Sequence, residues 1–581
     1  MIRELARHIK EYRTSTVITP LLVLGEVFIE ITIPFLISKL ISEVMYGTEQ
    51  SALLRYGLIL AVCAFISLTL GTLAGFSSAR ASSGLAKNLR QALFKNIQTF
   101  SFSNVDRFET SSLITRLTTD VEFVRQAFMV TIRTAIRAPL MLIFAFIMGF
   151  VIGGKLAWIF CFTVPILGFG LWRVISTSLP LFRQLFRKYD KLNLSVQENV
   201  KGMRVVKSFV REQNEVERFS AASEDLKKDF TRIERIIALL DPLMQFCLNV
   251  VMLLILSYGS YLVISTRGLE FDVGQISALL TYSFMMLMSL MMLSMVFAML
   301  VMAQESGRRI VEVLNEESDI LSAAEPHLDV ADGSIVFDNV FFKYAEEAER
   351  FALENINLEI RSGEVIGVIG ATGSAKSTLV QLIPRLYDVT SGAVLVGGVD
   401  VRNYDLEVLR RSVAMVLQKN VLFSGTIADN LRWGDANATD EMLQEACKMA
   451  QAHNFITSFP EGYNTHIEQG GSNVSGGQNQ RICIARALLA RPKVLILDDS
   501  TSAVDMQTDA KLRAALRSYI PKTTKIIIAQ RLASVQDADR IVVMNDGRID
   551  AVGSHDELLL TNDIYREIYE SQTRAEVLHG Q

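Results

Sequence analysis

A glycine-rich segment in the second half of the chain carries residue types that bind phosphate. It follows the apolar run Val365–Ile369, which predicts a buried strand, and it contains Gly370, Thr372, Gly373, Ser374, Ala375, Lys376, Ser377 and Thr378. Between a strand and a helix this pattern is a P-loop, in which backbone N–H groups surround the phosphates and the helix N-terminus adds positive potential. Lys376 is expected to neutralise β- and γ-phosphate charge, and Ser377 to hold Mg²⁺. The pattern therefore predicts a site for a nucleoside triphosphate and Mg²⁺.

Further motifs around the P-loop occur in the order typical of ABC ATPases, which this half of the chain resembles. They are Tyr344, Val416-Leu417-Gln418, Val474-Ser475-Gly476-Gly477-Gln478, Val494-Leu495-Ile496-Leu497-Asp498-Asp499 and Ser502-Ala503-Val504-Asp505. The resemblance implies that Tyr344 stacks on adenine, that Gln418 senses Mg²⁺, and that Asp498 coordinates it. It also implies that residues 474–478, with Val474 in place of the usual leucine, form the signature that faces a partner's ATP. Ser502, Ala503 and Asp505 would form the D-loop, which crosses to that partner.

Three positions depart from the family pattern within this one ATP site. Ala375 stands where the P-loop has its last glycine, Asp499 where the family has a catalytic glutamate, and Gln530 where it has a switch-loop histidine. The Asp499 arm is one methylene shorter, and a misplacement of about 1 Å at a reacting centre can cost on the order of 100-fold in rate. Gln530 can hydrogen-bond but cannot become cationic. These changes predict a degenerate site that binds ATP and hydrolyses it slowly; a merely slow but ordinary enzyme is the alternative.

The nearly intact signature has a separate implication. In ABC dimers each ATP lies between one chain's P-loop and the other chain's signature, so the resemblance implies a heterodimer. The partner would be a second half-transporter with glutamate and histidine at the two altered positions, as in heterodimeric bacterial multidrug exporters. The expected function is export of amphipathic small molecules or lipids by alternating access. A homodimeric lipid or peptide exporter, and a nucleotide-gated, channel-like regulatory subunit, are the alternatives.

The first half of the chain contains apolar runs that are long enough to cross a bilayer. A bilayer core needs about 20 apolar residues in helical form. Six runs meet this requirement: Thr14–Ser38, Tyr56–Ala79, Ala138–Gly154, Leu156–Trp172, Pro242–Thr266 and Val273–Gln304. Leu85–Ile97 and Phe182–Val200 keep helical apolar spacing among their charges, which predicts helices that continue into the cytoplasm. This layout resembles the exporter-type ABC membrane domain, whose cytoplasmic tips contact the ATP-binding domains.

Basic residues predict the orientation of these spans. The long connections Arg80–Arg137 and Arg173–Asp241 are rich in lysine and arginine, whereas the opposite connections are short and nearly free of them. Because basic loops stay on the cytoplasmic side, both chain ends and the ATP-binding domain are expected in the cytoplasm. The basic N-terminal residues predict a helix on the inner membrane surface, and the lack of a transit peptide favours a bacterial plasma (inner) membrane.

Two groups of side chains within the spans are candidates for a substrate cavity. Glu26 and Glu30 lie four residues apart, hence on one helix face, and intramembrane carboxylates usually face a polar cavity. Cationic compounds would suit them; a structural hydrogen-bonding role near the membrane boundary is the alternative. The sixth span is crowded with methionines, whose thioethers adapt to varied shapes. Of these, Met288, Met292, Met295 and Met299 are assigned to the cavity, with packing against protein or lipid as the alternative.

The composition agrees with two domains, one of them in a membrane. Of 581 residues, 50% are hydrophobic and 21% charged, and the net charge of −4 demands no polyanionic partner such as nucleic acid. The five cysteines are scattered singly, so no zinc site or disulfide framework is indicated. We predict an all-α six-helix transmembrane domain (1–315), a linker (316–334) and an α/β P-loop ABC ATPase domain (335–581), in which strand-like and helical runs alternate.

Overall fold

The chain divides into two units. The structure, a computed structural model, describes residues 1–45, 50–267, 271–345, 348–500 and 504–579. The first unit comprises Met1–Gln98 and Glu109–Glu316, and the second comprises Thr99–Phe108 and Glu317–Gln581. The segment Thr99–Phe108 lies within the predicted transmembrane domain along the chain, yet it packs with the second unit.

The first unit is built from helices. They are α1 (Ile2–Arg7), α2 (Arg13–Met45), α3 (Gln50–Ile97), α5 (Thr110–Thr115), α6 (Val121–Gly153), α7 (Trp158–Lys201), α8 (Met203–Ser208), α9 (Glu212–Ile237), α10 (Leu240–Thr266) and α11 (Val273–Leu314); α4 (Phe102–Phe108) belongs to the second unit. The six predicted spans lie in α2, α3, α6, α7, α10 and α11, and no span extends more than two residues past the end of its helix. By length and composition, five helical stretches of the described residues could cross a membrane, and one of them, Thr110–Phe182, contains α6 and the first part of α7.

Small residues bring the membrane helices close together. A Cβ atom added at Gly149 of α6 would lie 2.8 Å from the Phe160 ring, and one added at Gly153 would lie 2.7 Å from Leu279 of α11. Helices in lipid associate through such close packing, because lipid tails are as apolar as the helices themselves. Large apolar side chains such as Phe65 and Phe76 of α3 are instead exposed, as expected of a surface that faces lipid.

The second unit is an α/β domain. Its strands are β1 (Ile335–Phe342), β2 (Leu353–Ile360), β3 (Val365–Gly370), β4 (Ser391–Val396), β5 (Val399–Asp400), β6 (Val413–Val416), β7 (Gly425–Thr426), β8 (His466–Ile467), β9 (Val494–Asp498), β10 (Thr524–Ile528), β11 (Arg540–Asn545) and β12 (Arg548–Gly553). Its remaining helices are α12 (Lys376–Gln381), α13 (Leu406–Ser412), α14 (Ile427–Arg432), α15 (Asp440–Met449), α16 (His453–Ser458), α17 (Gly476–Leu489), α18 (Met506–Tyr519), α19 (His555–Thr561) and α20 (Asp563–His579).

The larger sheet brings three chain segments to one edge. Its strand order is β12-β11-β3-β10-β9-β6, and all its neighbouring pairs except β11–β12 are parallel. In β10, Ile528 is opposite Val368 of β3 and Asp498 of β9. The P-loop, the acidic pair and the switch loop therefore all follow the carboxyl ends of adjacent parallel strands, which is where ligands bind in such sheets.

Candidate nucleotide site

Most of the predicted nucleotide-side residues line one cleft at this edge of the sheet. The cleft is lined by Tyr344, Gly370, Thr372, Gly373, Ala375, Lys376, Ser377, Thr378, Gln418, Asp498, Asp499 and Gln530, among others. Ser374 is buried beneath the loop, with its hydroxyl 3.3 Å from Lys376 Nζ. Residues that are far apart in the sequence thus come together around the P-loop.

The P-loop has the geometry of a phosphate cradle. A Cβ atom at Gly370 would lie 2.2 Å from the Met544 carbonyl oxygen, so only glycine fits between the adjacent strands. Lys376 Nζ donates to the carbonyl oxygens of Gly370 and Ala371, at 2.9 and 2.8 Å. Burial lowers the pKa of Lys376, and the nearby Asp498 and Asp499 oppose this shift. The ammonium group is therefore held at the loop, next to two carboxylates.

Ala375 has a left-handed backbone. Its φ is 67° and its ψ 25°, a conformation that costs an L-residue about 1–2 kcal/mol relative to glycine. Its methyl group packs against the buried hydrophobic cluster of the domain. The loop thus keeps the conformation of the expected glycine, and the added methyl group contacts the core.

Asp499 is held by two neutral amides. Its Oδ2 accepts a hydrogen bond from Gln530 Nε2 at 2.9 Å and a longer one from Gln418 Nε2 at 3.4 Å. Burial raises the pKa of Asp499, and the Gln418 side chain, the Lys376 charge and the Gln530 backbone act in the opposite direction. Its φ of 48° lies in the left-handed region. The structure thus joins two of the altered positions, Asp499 and Gln530, by a direct hydrogen bond.

The residues at the P-loop serine fit a magnesium ion. Ser377 Oγ donates to Asp498 Oδ1 at 2.9 Å. Burial raises the pKa of Asp498; the Ser377 hydrogen bond opposes this shift and the Asp499 charge adds to it. Mg²⁺ is usually held by one or two carboxylates and by phosphate oxygens, with waters completing the shell. No group of three or more His, Cys, Asp or Glu residues within the described ranges could hold a metal by itself. The hydroxyl–carboxylate pair therefore suits an ion that arrives with phosphate.

The side of the cleft assigned to adenine is aromatic. Tyr344 is half exposed, and its Oη lies 2.9 Å from Thr378 Oγ1. Its ring lies edge-on to Tyr387, with 5.2 Å between centroids, and the Tyr387 hydroxyl donates to Asp106 of α4 at 2.9 Å. The sequence analysis missed Tyr387 and Asp106, because no spacing rule links α4 to a residue so far along the chain.

The signature lies outside this cleft, at the start of α17. Ser475 and Gln478 form a capping box: Ser475 Oγ accepts from the Gln478 N–H, and Gln478 Oε1 accepts from the Ser475 N–H. Ser475 and Gly476 are exposed, whereas Val474 and Gly477 are partly buried. Helix N-termini attract anions, so this surface can receive a phosphate from another chain.

Only part of the D-loop is covered by the structure. Ser502 and Ala503 lie outside the described residues. Asp505 begins α18 as its N-cap, and its side chain accepts from the Thr508 N–H at 2.9 Å.

The two intramembrane carboxylates pair with an arginine. Arg137 of α6 contacts Glu26 Oε1 through Nη1 at 2.5 Å and both Glu30 carboxylate oxygens through Nη2 at 2.8 Å. Glu26 is buried, and its Oε2 has no hydrogen-bond partner among the described residues. This arginine was missed by the sequence analysis. On α11, Met292 and Met295 are exposed, and Met288 and Met299 are partly exposed.

A membrane domain of helices joined to a P-loop ATPase domain defines a class of ATP-driven membrane proteins, and comparison with known proteins identifies the family. Residues 16–290 match the family model described as "ABC transporter transmembrane region". Residues 353–502 match the family model described as "ABC transporter". The chain is 36% identical, over 97% of both chains, to YfiB of Bacillus subtilis (strain 168), an uncharacterized ABC transporter ATP-binding protein. The protein belongs to the ABC transporter family, as its motifs predicted.

Two further comparisons cover nearly the whole chain. It is 32% identical to the mitochondrial potassium channel ATP-binding subunit of Pongo abelii, over 95% of this chain and 78% of the relative. It also resembles the structure of a bacterial Atm1-family ABC exporter with ATP bound, with a TM-score of 0.81, 23% identity, and coverage of 97% of this chain and 98% of that one. The predicted fold class, helical transmembrane domain followed by α/β ABC ATPase domain, is confirmed.

Proposed function

We propose that the protein is one half of an exporter that moves amphipathic small molecules or lipids out of the cytoplasm or the inner leaflet by alternating access. The observation that carries this proposal is that one chain presents two halves of an ATP site at different places. The P-loop and Asp498 line the cleft, whereas the exposed start of α17 lies outside it. A complete ATP site therefore requires a second chain, whose signature covers this cleft.

The residues of the cleft account for ATP capture. Tyr344 offers an aromatic face to the base, the loop amides surround the phosphates, and Lys376 neutralises their charge. Mg²⁺, held by Ser377, Asp498 and Gln418, supplies further neutralisation of the phosphates when bound. The partner's signature then brings a helix N-terminus to the γ-phosphate, which draws the two ATP-binding domains together.

This chain's own site hydrolyses ATP slowly. The amides of Gln418 and Gln530 both donate to Asp499 Oδ2 and hold its carboxylate in one orientation. The aspartate arm is also short, and Gln530 has no charge to place near the γ-phosphate. The partner is a non-identical half-transporter with glutamate and histidine at these positions. Its P-loop, with this chain's signature, forms the competent site.

Two exposed apolar surfaces support assembly with a second half-transporter. The first lies at the cytoplasmic tip, on α8 and the two residues after it, and consists of Val205, Phe209 and Val210. The second lies on the ATP-binding domain and consists of Leu417, Val421, Phe423 and Trp433. Within the second, the Phe423 and Trp433 rings stack at 4.3 Å. Exposed apolar patches of this kind mark interaction sites. The tip of one subunit docks on the other subunit's patch, so that closure of the ATP-binding domains moves the membrane helices.

The charges within the membrane favour cationic cargo. Glu26, Glu30 and Arg137 together carry one net negative charge, and the unpaired Glu26 oxygen is a free acceptor in this group. An amphipathic cation would satisfy it, with apolar parts against flexible methionines such as Met292 and Met295 and against membrane lipids. Basic connections on one side of the membrane support a cytoplasmic location for the ATP-binding domain and both termini, with the spans in the inner membrane of a bacterial cell.

The experiment that tests this function uses the chain assembled with its partner in lipid vesicles. ATP-dependent uptake of an amphipathic cation such as tetraphenylphosphonium should be lost when the partner's catalytic glutamate is changed to glutamine. Lys376→Ala should abolish ATP retention at this chain's site, and the exposed Lys448→Ala serves as its control. Uphill transport that persists without the partner's glutamate would contradict the mechanism.

A channel-like regulatory subunit is the second candidate function. The relative from Pongo abelii is named as the ATP-binding subunit of a potassium channel. In that case, ATP binding would change ion flux down its gradient, with no uphill movement of cargo. The same vesicles separate the two functions, because passive potassium flux gated by ATP that cannot be hydrolysed supports the channel. The subunit composition of the purified transporter distinguishes a homodimeric exporter from a heterodimeric one, because a homodimer would contain this chain alone.

A further inference from the structure

The C-terminal helix contacts the switch loop through one side chain. Gln572 of α20 accepts a hydrogen bond from the Leu532 N–H on its Oε1 atom, at 2.7 Å. Its Nε2 atom donates to the Gln530 carbonyl oxygen at 2.8 Å. Both bonds are short, and together they bridge a stretch of three residues. Only a side chain that both donates and accepts, such as an amide, makes the pair.

The same loop carries the side chain that reaches the acidic pair. Gln530 Nε2 donates to Asp499 Oδ2 at 2.9 Å, and the Asp499 N–H donates to the Ile528 carbonyl oxygen at 3.0 Å. Gln572 and Asp499 are thus both hydrogen-bonded to Gln530, Gln572 to its backbone carbonyl and Asp499 to its side-chain amide. The Asp499 carboxylate faces the nucleotide cleft. A shift of the loop by 1 Å would separate these groups beyond hydrogen-bond range.

The helix that presents Gln572 is firmly held. Tyr565 of α20 is fully buried, and its hydroxyl lies 2.7 Å from His555 Nδ1. Ile564, Ile568 and Tyr569 pack against the hydrophobic core of the domain. Ile564, Ile568 and Gln572 also line the nucleotide cleft. The helix that carries Gln572 is therefore fixed in position relative to the core of the domain.

We infer that Gln572 is a positioning residue for ATP hydrolysis. It fixes the backbone at Gln530, and through that backbone it sets the distance between the Gln530 amide and Asp499. This inference rests on the proposed roles of Asp499 and Gln530 in the ATP site. Because Gln572 contacts neither the P-loop lysine nor the P-loop serine, it controls the rate of hydrolysis and leaves ATP affinity unchanged.

Kinetics of the assembled transporter test this role. Gln572→Ala removes both bonds and with them the fixed position of the switch loop, so the kcat of this chain's site should fall by about tenfold with an unchanged KM. Gln572→Glu keeps the acceptor for the Leu532 N–H but loses the donor to Gln530, and it should lose kcat as well. The matched control is Thr573→Ala on the next, exposed position of α20, with unchanged kcat. A change in KM with an unchanged kcat, or full activity of Gln572→Glu, would overturn the inference.

A double-variant cycle shows whether the effect passes through Asp499. In an Asp499→Asn background, Gln572→Ala should cause no further loss of kcat, because the interaction that it positions is already altered. An equal additional loss would mean that Gln572 acts elsewhere, and would contradict the inference.

Hydrogen exchange provides a readout that does not depend on hydrolysis. Gln572→Ala should accelerate amide exchange in a peptide that covers residues 529–534, and leave a β4 peptide unchanged; Gln572→Glu should keep the Leu532 amide protected. If Asp499→Asn leaves kcat unchanged, the proposed role of Asp499 is wrong, and exchange then decides the role of Gln572. Unaltered exchange in Gln572→Ala would refute it.

Discussion

We expect the length of the Asp499 side chain to limit how fast this ATP site turns over. Glutamate at this position would extend the carboxylate by one methylene, past the Gln418 and Gln530 amides that now hold Asp499 Oδ2. We expect Asp499→Glu to raise the kcat of this site by about tenfold, because a shift of about 1 Å toward the reacting atoms has effects of that order or larger. Single-turnover ATP hydrolysis by the purified transporter measures this change.

The control for this variant keeps the size of the side chain and removes its charge. Asp499→Asn should hydrolyse ATP at this site no faster than the wild type while retaining nucleotide. If Asp499→Glu brought no gain, the slow step would lie with Ala375 or with the uncharged Gln530.

Ala375 carries a backbone cost that glycine would remove. Its φ of 67° is unfavourable for alanine, while its methyl group packs on the core. Ala375→Gly should therefore stabilise the ATP-binding domain by up to about 1 kcal/mol, since relief of strain outweighs the added freedom of the unfolded chain. ATP affinity should not change, because the methyl group packs against the core. Thermal unfolding and nucleotide titration check the two statements; much tighter ATP binding would mean that the methyl group crowds the phosphates.

The sequence identified residues that belong to short motifs and missed those that join the site through the fold. Lys376, Ser377 and Asp498 follow strands in fixed patterns, so their convergence was predictable from strand order. Gln572 and Arg137 meet their partners only after α20 and α6 have packed. Their spacing from Gln530 and Glu26 along the chain carries no periodicity that a pattern could detect.

At the scale of elements, one guanidinium group of α6 pairs with two carboxylates of α2. Arg137→Ala would leave two carboxylates without a partner within the membrane, one of them buried. We expect a loss of about 3 kcal/mol or more in the free energy of unfolding, since a buried charge without its partner is strongly destabilising. Thermal unfolding of the purified transporter in detergent measures this loss.

A charge-free triad is the matched control for the arginine. Arg137→Met combined with Glu26→Gln and Glu30→Gln removes all three charges, and it should recover most of the stability that Arg137→Ala loses. If the neutral variant were as unstable as Arg137→Ala, shape and not charge would account for the effect.

Helix length was predictable from the sequence, but the membership of each unit was not. An apolar run of about 20 residues is a local property, and the six runs lie in six long helices. The segment Thr99–Phe108 gives no such signal. Its assignment to the second unit depends on contacts such as the Phe102–Tyr387 ring pair at 6.0 Å and the Asp106–Tyr387 hydrogen bond, which pattern analysis does not detect.

At the scale of the whole transporter, the heterodimer that we propose would make the two halves of this chain unequal. Its P-loop would serve the slow site, and its signature would serve the site with the partner's catalytic glutamate. Damage to the signature would therefore act on fast hydrolysis, whereas damage to Asp499 would act on slow hydrolysis. A homodimer has no such difference, because both kinds of damage then reach every site.

Gly476→Asp separates these two assemblies. The position is exposed at the first turn of α17, where an acidic side chain stabilises the helix, so the variant should fold. The same charge repels the γ-phosphate of the partner's ATP across a few ångströms. In the heterodimer, Gly476→Asp should remove more than about 90% of the ATPase rate, a change of about 1.4 kcal/mol or more, while Asp499→Asn keeps most of it. Equal losses from the two variants, measured as steady-state ATPase of the purified transporter, would mean that its two ATP sites are alike.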